Sequence, residues 1–375
     1  MANERDSGHV SRREFIVNST GLVAAAPAAA CRMPGMGGKS LNPDPSETAN
    51  AARKLPIGLI DTAYFDLTLD EMLEKLTAQG IEAVEICTGG YGQPKHIPVD
   101  DILADPAKGK AWKKKFEGRS IRVGALNSSG NPLHPNREMA RRFDQDFRQA
   151  ILLAERLEIP VVVNFSGCPG DSPNAAHPNW VTYRWPPDYE EVITWQWEQV
   201  VLPYWREAVK FARAHGMKKI AFEMHPGFVV YNPYTLMRLR EAVGEEIGAN
   251  CDLSHLFWQG CDPVEVIHYL GKQGAIYHAH MKDTVIFKHI ADQTGVLNFS
   301  ADLAKSSAGS VMFRTVGYGH GAQVWRDIVK AYMDIGFEGI LSIEHEDSIL
   351  PKPVGIERAA YVLKNVRAEL LGETT

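Results

Sequence analysis

Four apolar runs of this chain stop on the same kind of chemistry, and that repetition limits the folds open to it more than any other feature. Lys219-Ile220-Ala221-Phe222-Glu223-Met224-His225-Pro226 is an apolar run ending in a carboxylate, then a histidine, then a proline that closes a strand. Asn250-Cys251-Asp252-Leu253-Ser254-His255, Ile276-Tyr277-His278-Ala279-His280-Met281-Lys282-Asp283 and Ile340-Leu341-Ser342-Ile343-Glu344-His345-Glu346-Asp347 repeat the pattern, with helical periodicity between them. In a parallel β/α chain the C-terminal ends of strands gather on one face, where active sites are built. Glu223, Asp252, His280 and Glu344 can therefore meet around one ion although they are far apart in sequence.

Composition narrows the class. The chain has 375 residues, 45% of them hydrophobic, enough for one large core, and a formal net charge of -6 from 40 basic and 46 acidic residues. No long basic run or Arg-rich face is present, so the electrostatic footprint of a nucleic-acid binder is missing. The five cysteines, Cys31, Cys87, Cys168, Cys251 and Cys261, form no CxxC pair, which removes a zinc-ribbon reading. No apolar run is long enough to be a membrane span.

The first residues read as an address. Ser11-Arg12-Arg13-Glu14-Phe15-Ile16 resembles the twin-arginine signal of bacterial Tat export, and a weakly apolar stretch from Ile16 to Ala30 follows. It ends in Ala28-Ala29-Ala30-Cys31, small residues that fit a signal-peptidase site. The expectation is a Tat-type signal over 1–31, with the Tat machinery as a partner and a periplasmic or exported protein as the outcome. Cys31 also suggests lipoprotein anchoring, against which Ala28 stands where such sites usually carry Leu. Residues 32–54, rich in Gly, Pro and small polar residues, read as a flexible tether.

From Ile57 the pattern becomes strand–helix alternation. Apolar strands are expected at Ile57-Gly58-Leu59-Ile60, Ala83-Val84-Glu85-Ile86, Val123-Gly124-Ala125-Leu126 and Pro160 to Phe165, then at the four runs above. Helices are expected over the stretch whose face carries Leu69, Met72, Leu73 and Leu76, and over Ala107–Phe116, Arg137–Leu157, Tyr189–Ala214, Pro263–Leu270, Ala322–Ile335 and Ile356–Leu371. Two long loops stand out: Ser166–Asp188, with Trp180, Tyr183 and Trp185 either stacking on a ligand or packing as a lid on itself, and Thr284–Tyr318. Eight units over residues 55–372 predict a single (β/α)8 TIM barrel with long C-terminal-face loops. An open doubly wound sheet would show a Gly-rich phosphate loop after its first strand, and Asp61-Thr62-Ala63-Tyr64 is not one.

Two Glu, one Asp and one His make a hard, oxygen-rich donor set. It suits Mn²⁺ first, with Mg²⁺, Co²⁺ or Zn²⁺ as the other divalent candidates. From Leu55 to about Leu371 the chain resembles the xylose-isomerase-like TIM barrels, the sugar isomerase/epimerase superfamily that includes inosose dehydratases. The residues that carry the resemblance are Phe222-Glu223, Cys251-Asp252-Leu253-Ser254-His255, His278-Ala279-His280-Met281-Lys282-Asp283, the Gly317-Tyr318-Gly319-His320-Gly321 turn followed by Trp325, and Ser342-Ile343-Glu344. The resemblance implies that Glu223, Asp252, His280 and Glu344 bind one divalent cation and that His255 contacts a sugar beside it. It also implies that Glu223 and Glu344 act as base and acid from opposite faces of the sugar.

The departures from the family pattern matter. The DNA-repair branch holds three metals with extra ligands on earlier strands, and the only early candidates here, His96 and His134, lie several residues past theirs. A xylose isomerase proper needs a second metal cluster and a paired His–Asp near strand two, and the sequence shows neither.

The expected activity is therefore a metal-dependent isomerase or epimerase of a free sugar or sugar derivative, working through an enediolate. The expected catalytic residues are Glu223, Glu344, His255 and Lys282, the last two polarising hydroxyls. His255 could instead be a strand-end cap, and Lys282 an ion-pair partner of Asp283. His225 and His320 read as structural hydrogen bonders, and Glu346 as a carboxylate behind the ligands. A lyase or dehydratase acting on a keto-glycoside or inosose is the alternative, and a non-catalytic carbohydrate-binding barrel a second one. The expected partner is a small carbohydrate, not nucleic acid, with a homo-oligomer left open.

Overall fold

The computed structural model describes residues 55–297 and 309–373. The expected signal segment 1–31, including Arg12, Arg13 and Cys31, and the tether 32–54 lie outside them. Eight parallel strands close into a barrel: β1 (Ile57–Ile60), β2 (Ala83–Cys87), β3 (Arg122–Asn127), β4 (Val162–Asn164), β5 (Ile220–Glu223), β6 (Ile247–Asn250), β7 (Ile276–Met281) and β10 (Leu341–Ile343), in the order β1-β10-β7-β6-β5-β4-β3-β2. This is the expected single (β/α)8 architecture.

Local chemistry sets where the outer helices begin. The helix Leu69–Ala78 is started by a capping box between Thr68 and Glu71. Arg137–Leu157 starts at Asn136, whose side chain accepts the N–H groups of Glu138 and Met139, and Pro263–Lys272 starts at Asp262 with proline in the first turn. These helices cover the strands with one continuous apolar core, in which Trp205 is fully buried. Trp205 packs edge-on against Phe147 (5.6 Å) and Phe222 (4.5 Å), and its indole N–H donates to the Ser166 carbonyl at 2.9 Å. Trp205→Ala is expected to cost about 3–5 kcal/mol, read from denaturant unfolding.

Ala125, Val161, Val163 and Ala221 form a small separate apolar cluster. One pleat further along the same faces come Asn127 and Glu223. Polar groups therefore occupy the C-terminal end of these strands.

Three connections differ from the sequence reading. The expected continuous helix Tyr189–Ala214 is two helices, Pro187–Trp195 and Leu202–Ala214, joined by a π-helical turn over Gln196–Val201. Pro203, which has no N–H to give the ladder, follows that turn directly. The connection after β5, left without a helix by periodicity, holds Pro233–Val243, capped by Asn232. The loop Thr284–Tyr318 contains an antiparallel hairpin, β8 (Asp283–Ile286) with β9 (Val311–Arg314), and the helix Lys288–Thr294.

Candidate metal and active site

β5, β6, β7 and β10 are consecutive around the barrel, so their ends form one arc. Glu223 is the last residue of β5, Asp252 lies two residues past β6, His280 is in β7, and Glu344 follows β10. One ligand atom from each of the four lies within 4.8 Å of the others. His280 Nδ1 is 3.2 Å from Glu344 Oε2, 3.5 Å from Glu223 Oε2 and 4.0 Å from Asp252 Oδ2. Asp252 is aimed by its other oxygen, which accepts the Ser254 N–H at 2.9 Å.

Two atoms in this group, Asp252 Oδ2 and His280 Nδ1, are buried without a hydrogen bond. Orphaned buried donors and acceptors are rare and costly. Three carboxylates converging with one imidazole form a donor set that a hard divalent cation satisfies. The residues therefore fit such an ion, and Glu223, Asp252, His280 and Glu344 could hold it.

The two glutamates are electrostatically unlike. Burial, and then the neighbouring Glu344 carboxylate, pushes the Glu223 carboxyl up to about 7, with Asp252 adding to the rise. Burial acts on Glu344 in the same sense, but Lys282 and His280 outweigh it and hold its carboxyl well below the usual range. Without a cation, Glu223 therefore takes up a proton more readily than Glu344.

Lys282 is buried and its ammonium donates to Glu344 Oε2 (2.7 Å) and Glu346 Oε2 (2.8 Å). It also lies 3.0 Å from Asp252 Oδ2 without hydrogen-bond geometry. Burial pulls its pKa down, but Asp252, Glu344, Glu346 and Glu223 outweigh that and keep it well above the ordinary lysine value. The alternative partner for Lys282, Asp283, is engaged elsewhere. Asp283 Oδ2 accepts the N–H groups of Gly317, Gly319 and His320 and the Trp325 indole, and Oδ1 faces His320 Nδ1 at 2.7 Å. Asp283 thus anchors the Gly317–Gly321 turn. A Cβ on Gly319 would stand 2.3 Å from the Thr284 carbonyl oxygen, so the turn admits no side chain there.

His255 Nε2 is 3.2 Å from Glu223 Oε1, and its ring meets Phe313 of β9 edge-on at 5.2 Å. Burial lowers its pKa to about 4, so it is neutral at physiological pH and able to hydrogen-bond a hydroxyl. His225, 4.1 Å from the His255 ring, is lowered to about 4 by burial and by His255. It also completes a metal-sized group with Glu223 and His255. Of the loop aromatics, Trp180 packs edge-on against Tyr231 at 5.3 Å, while Tyr183 and Trp185 are exposed.

Two expectations about strand two need correction. A His–Asp pair does exist there: His96 Nδ1 lies 2.9 Å from Asp61 Oδ2, both buried. Loop closure brings His96 back onto the end of β1, which linear distance from its own strand conceals. A third metal-sized group among the described residues is made by Glu85, His278 and His280. Glu85, inside β2, was missed. Its signal was a carboxylate between Val84 and Ile86 in an otherwise apolar strand, a charge that burial tolerates only with partners. A cavity of about 680 Å³ opens at the other end of the barrel, lined by residues such as Arg122, Lys219 and Tyr277, and contains none of the four arc residues.

Comparison with known proteins follows the same lines. Residues 73–366 match the family model described as xylose isomerase-like TIM barrel. The uncharacterized protein YfiH of Bacillus subtilis (strain 168) is 36% identical over 300 residues, covering 80% of this chain and 95% of that protein. Among solved structures, a D-tagatose 3-epimerase-like protein superposes with a TM-score of 0.56 at 18% identity, covering 84% of this chain and 99% of that one. The probable 3-DHS dehydratase AsbF of Bacillus anthracis gives 0.56 at 15% identity, covering 83% and 99%. An L-ribulose 3-epimerase gives 0.52 at 14% identity, covering 84% and 96%. At these identities the structural likenesses speak for the fold.

Proposed function

Because the chain belongs to the xylose isomerase-like TIM barrel family, we propose that it is a divalent-metal-dependent isomerase or epimerase of a free sugar or sugar derivative, acting by proton transfer beside a carbonyl. One observation carries this reading: Glu223 and Glu344 sit at the two ends of the arc β5-β6-β7-β10, and one oxygen of each faces the same His280 Nδ1, at 3.5 Å and 3.2 Å. A reaction that moves a proton off one carbon face and returns it to another needs two such groups. The D-tagatose 3-epimerase-like protein and the L-ribulose 3-epimerase among the structural neighbours agree with it by analogy of fold.

Glu223, Asp252, His280 and Glu344 would hold the cation, with Mn²⁺ as the first choice. When bound, it would supply Lewis acidity toward a substrate carbonyl and its neighbouring hydroxyl. The chain's own residues do the rest. One glutamate, as carboxylate, takes the proton from the carbon beside the carbonyl, and the other, after taking up a proton from solvent, returns it to the enediolate. Neutral His255 orients a hydroxyl at Glu223, and the Lys282 ammonium offsets negative charge building near Glu344. A lyase is the second reading. Lys282 places positive charge beside Glu344, Glu346 and Asp252, where a departing oxygen would be stabilised. Incubation with ketoses and 3-keto-glycosides distinguishes the two: epimerised or isomerised sugar supports the first, and release of water or an aglycone the second.

A pH dependence follows from Glu223. Its carboxyl is raised from 4.5 to about 7, so the folded chain binds the proton more tightly than the unfolded chain does. That contribution to stability is complete below the unfolded value and is lost as pH rises through about 7. In chelator, the unfolding midpoint should fall between roughly pH 5 and roughly pH 8, and Glu223→Gln should flatten the fall. The same proton must leave before a cation binds, so apparent metal affinity should rise with pH up to about 7. An affinity that falls with pH over that range would contradict the assignment.

Export by the Tat route is proposed from Arg12 and Arg13. In cell fractionation, the Arg12→Lys/Arg13→Lys variant should remain in the cytosol while the parent does not. A parent already cytosolic would end the proposal.

A further inference from the structure

One heavily held carboxylate of the barrel is not among the four arc residues. Glu85 lies inside β2, wholly buried. Its Oε2 is 2.8 Å from His278 Nε2, 2.9 Å from His280 Nε2 and 2.8 Å from the Ser342 hydroxyl, and Oε1 accepts the Asn127 amide at 2.7 Å. β2 does not neighbour β7: β1 and β10 stand between them, so the bond from His280 to Glu85 crosses the barrel interior. A buried carboxylate with one donor would be a liability, and one with four is a built feature.

A carboxylate can only accept, so the hydrogen of this contact stands on His280 Nε2. The other ring nitrogen, Nδ1, then faces Glu344, Glu223 and Asp252, and it has no hydrogen bond of its own. We propose that Glu85 is a positioning residue: it fixes His280 with hydrogen on Nε2 and turns Nδ1 toward the cation site, while His278, Ser342 and Asn127 hold Glu85 in place. This inference rests on the metal reading above. Groups that orient a metal-ligating histidine in this way typically change metal affinity by 10–100-fold when removed.

Two measurements test it. The first titrates Mn²⁺ into the parent, Glu85→Gln, His280→Ala and the double variant, following free ion by electron paramagnetic resonance. Glu85→Gln should weaken binding by about 10–100-fold in the parent and add nothing in the His280→Ala background. A purely structural or long-range charge effect would persist in that background. The second uses ¹⁵N-labelled histidine in the parent loaded with Zn²⁺ and needs no variant to fold. His280 should show a metal shift on Nδ1 and a proton on Nε2. Unchanged affinity in Glu85→Gln, an equal loss in the His280→Ala background, or coordination through Nε2 would overturn the inference while leaving the metal site standing. A parent that binds no ion would overturn both.

Discussion

Glu223→Gln and Glu344→Gln should each lower turnover by about 10²–10⁴-fold while leaving substrate binding within a small factor. The amide keeps the shape of the side chain and one oxygen but removes the basic atom. Without the cation, burial and the charge of Glu344 raise the Glu223 carboxyl to about 7. Glu344 is kept ionised by Lys282 and His280 against the effect of burial. The two substitutions should therefore distort the pH–rate profile differently. Steady-state kinetics across pH, with the retained metal content of each variant measured in parallel, separates lost proton transfer from lost metal. If both variants turn over at the parental rate, neither glutamate moves the proton.

The second large effect concerns the cation. Purified protein should carry one divalent ion per chain, and the His280→Ala/Asp252→Ala double variant should carry none. His280 Nδ1 and Asp252 Oδ2 are the two buried atoms of the arc without a hydrogen bond, so their loss removes two of the four ligands. Elemental analysis after dialysis checks this. Three ions per chain, or full retention in the double variant, would contradict the single-cation reading.

The arc was legible in the sequence because each of its members closes or follows an apolar run at a point where a parallel strand must end. A carboxylate or imidazole placed there has one direction to face. Glu85 was not legible by the same logic. It sits within β2 with no break beside it, and its partners His278 and His280 are 193 and 195 positions away. Only barrel closure shows that these strands face one another across the interior. His96 and Asp61 escaped for a related reason, since each looks like a loop residue until the chain folds back. The helix Pro233–Val243 was marked locally by Asn232 and Pro233, a capping signal that short periodicity did not reinforce. The β8–β9 hairpin pairs Asp283 with Arg314 across an insertion, a long-range contact that alternation within one strand cannot reveal. That hairpin is functional ground, since Phe313 borders both His255 and Lys282.

Solvent exchange tests the central claim most directly. The protein would be incubated with Mn²⁺ and a panel of ketoses and 3-keto-glycosides in D₂O, and recovered material examined by NMR and mass spectrometry. Deuterium at the carbon beside the carbonyl, or an elimination product, is expected for at least one member, abolished by chelation and restored by Mn²⁺. Turnover that survives complete removal of metal, or conversion with neither exchange nor elimination, would contradict metal-dependent proton transfer at the Glu223–Glu344 site.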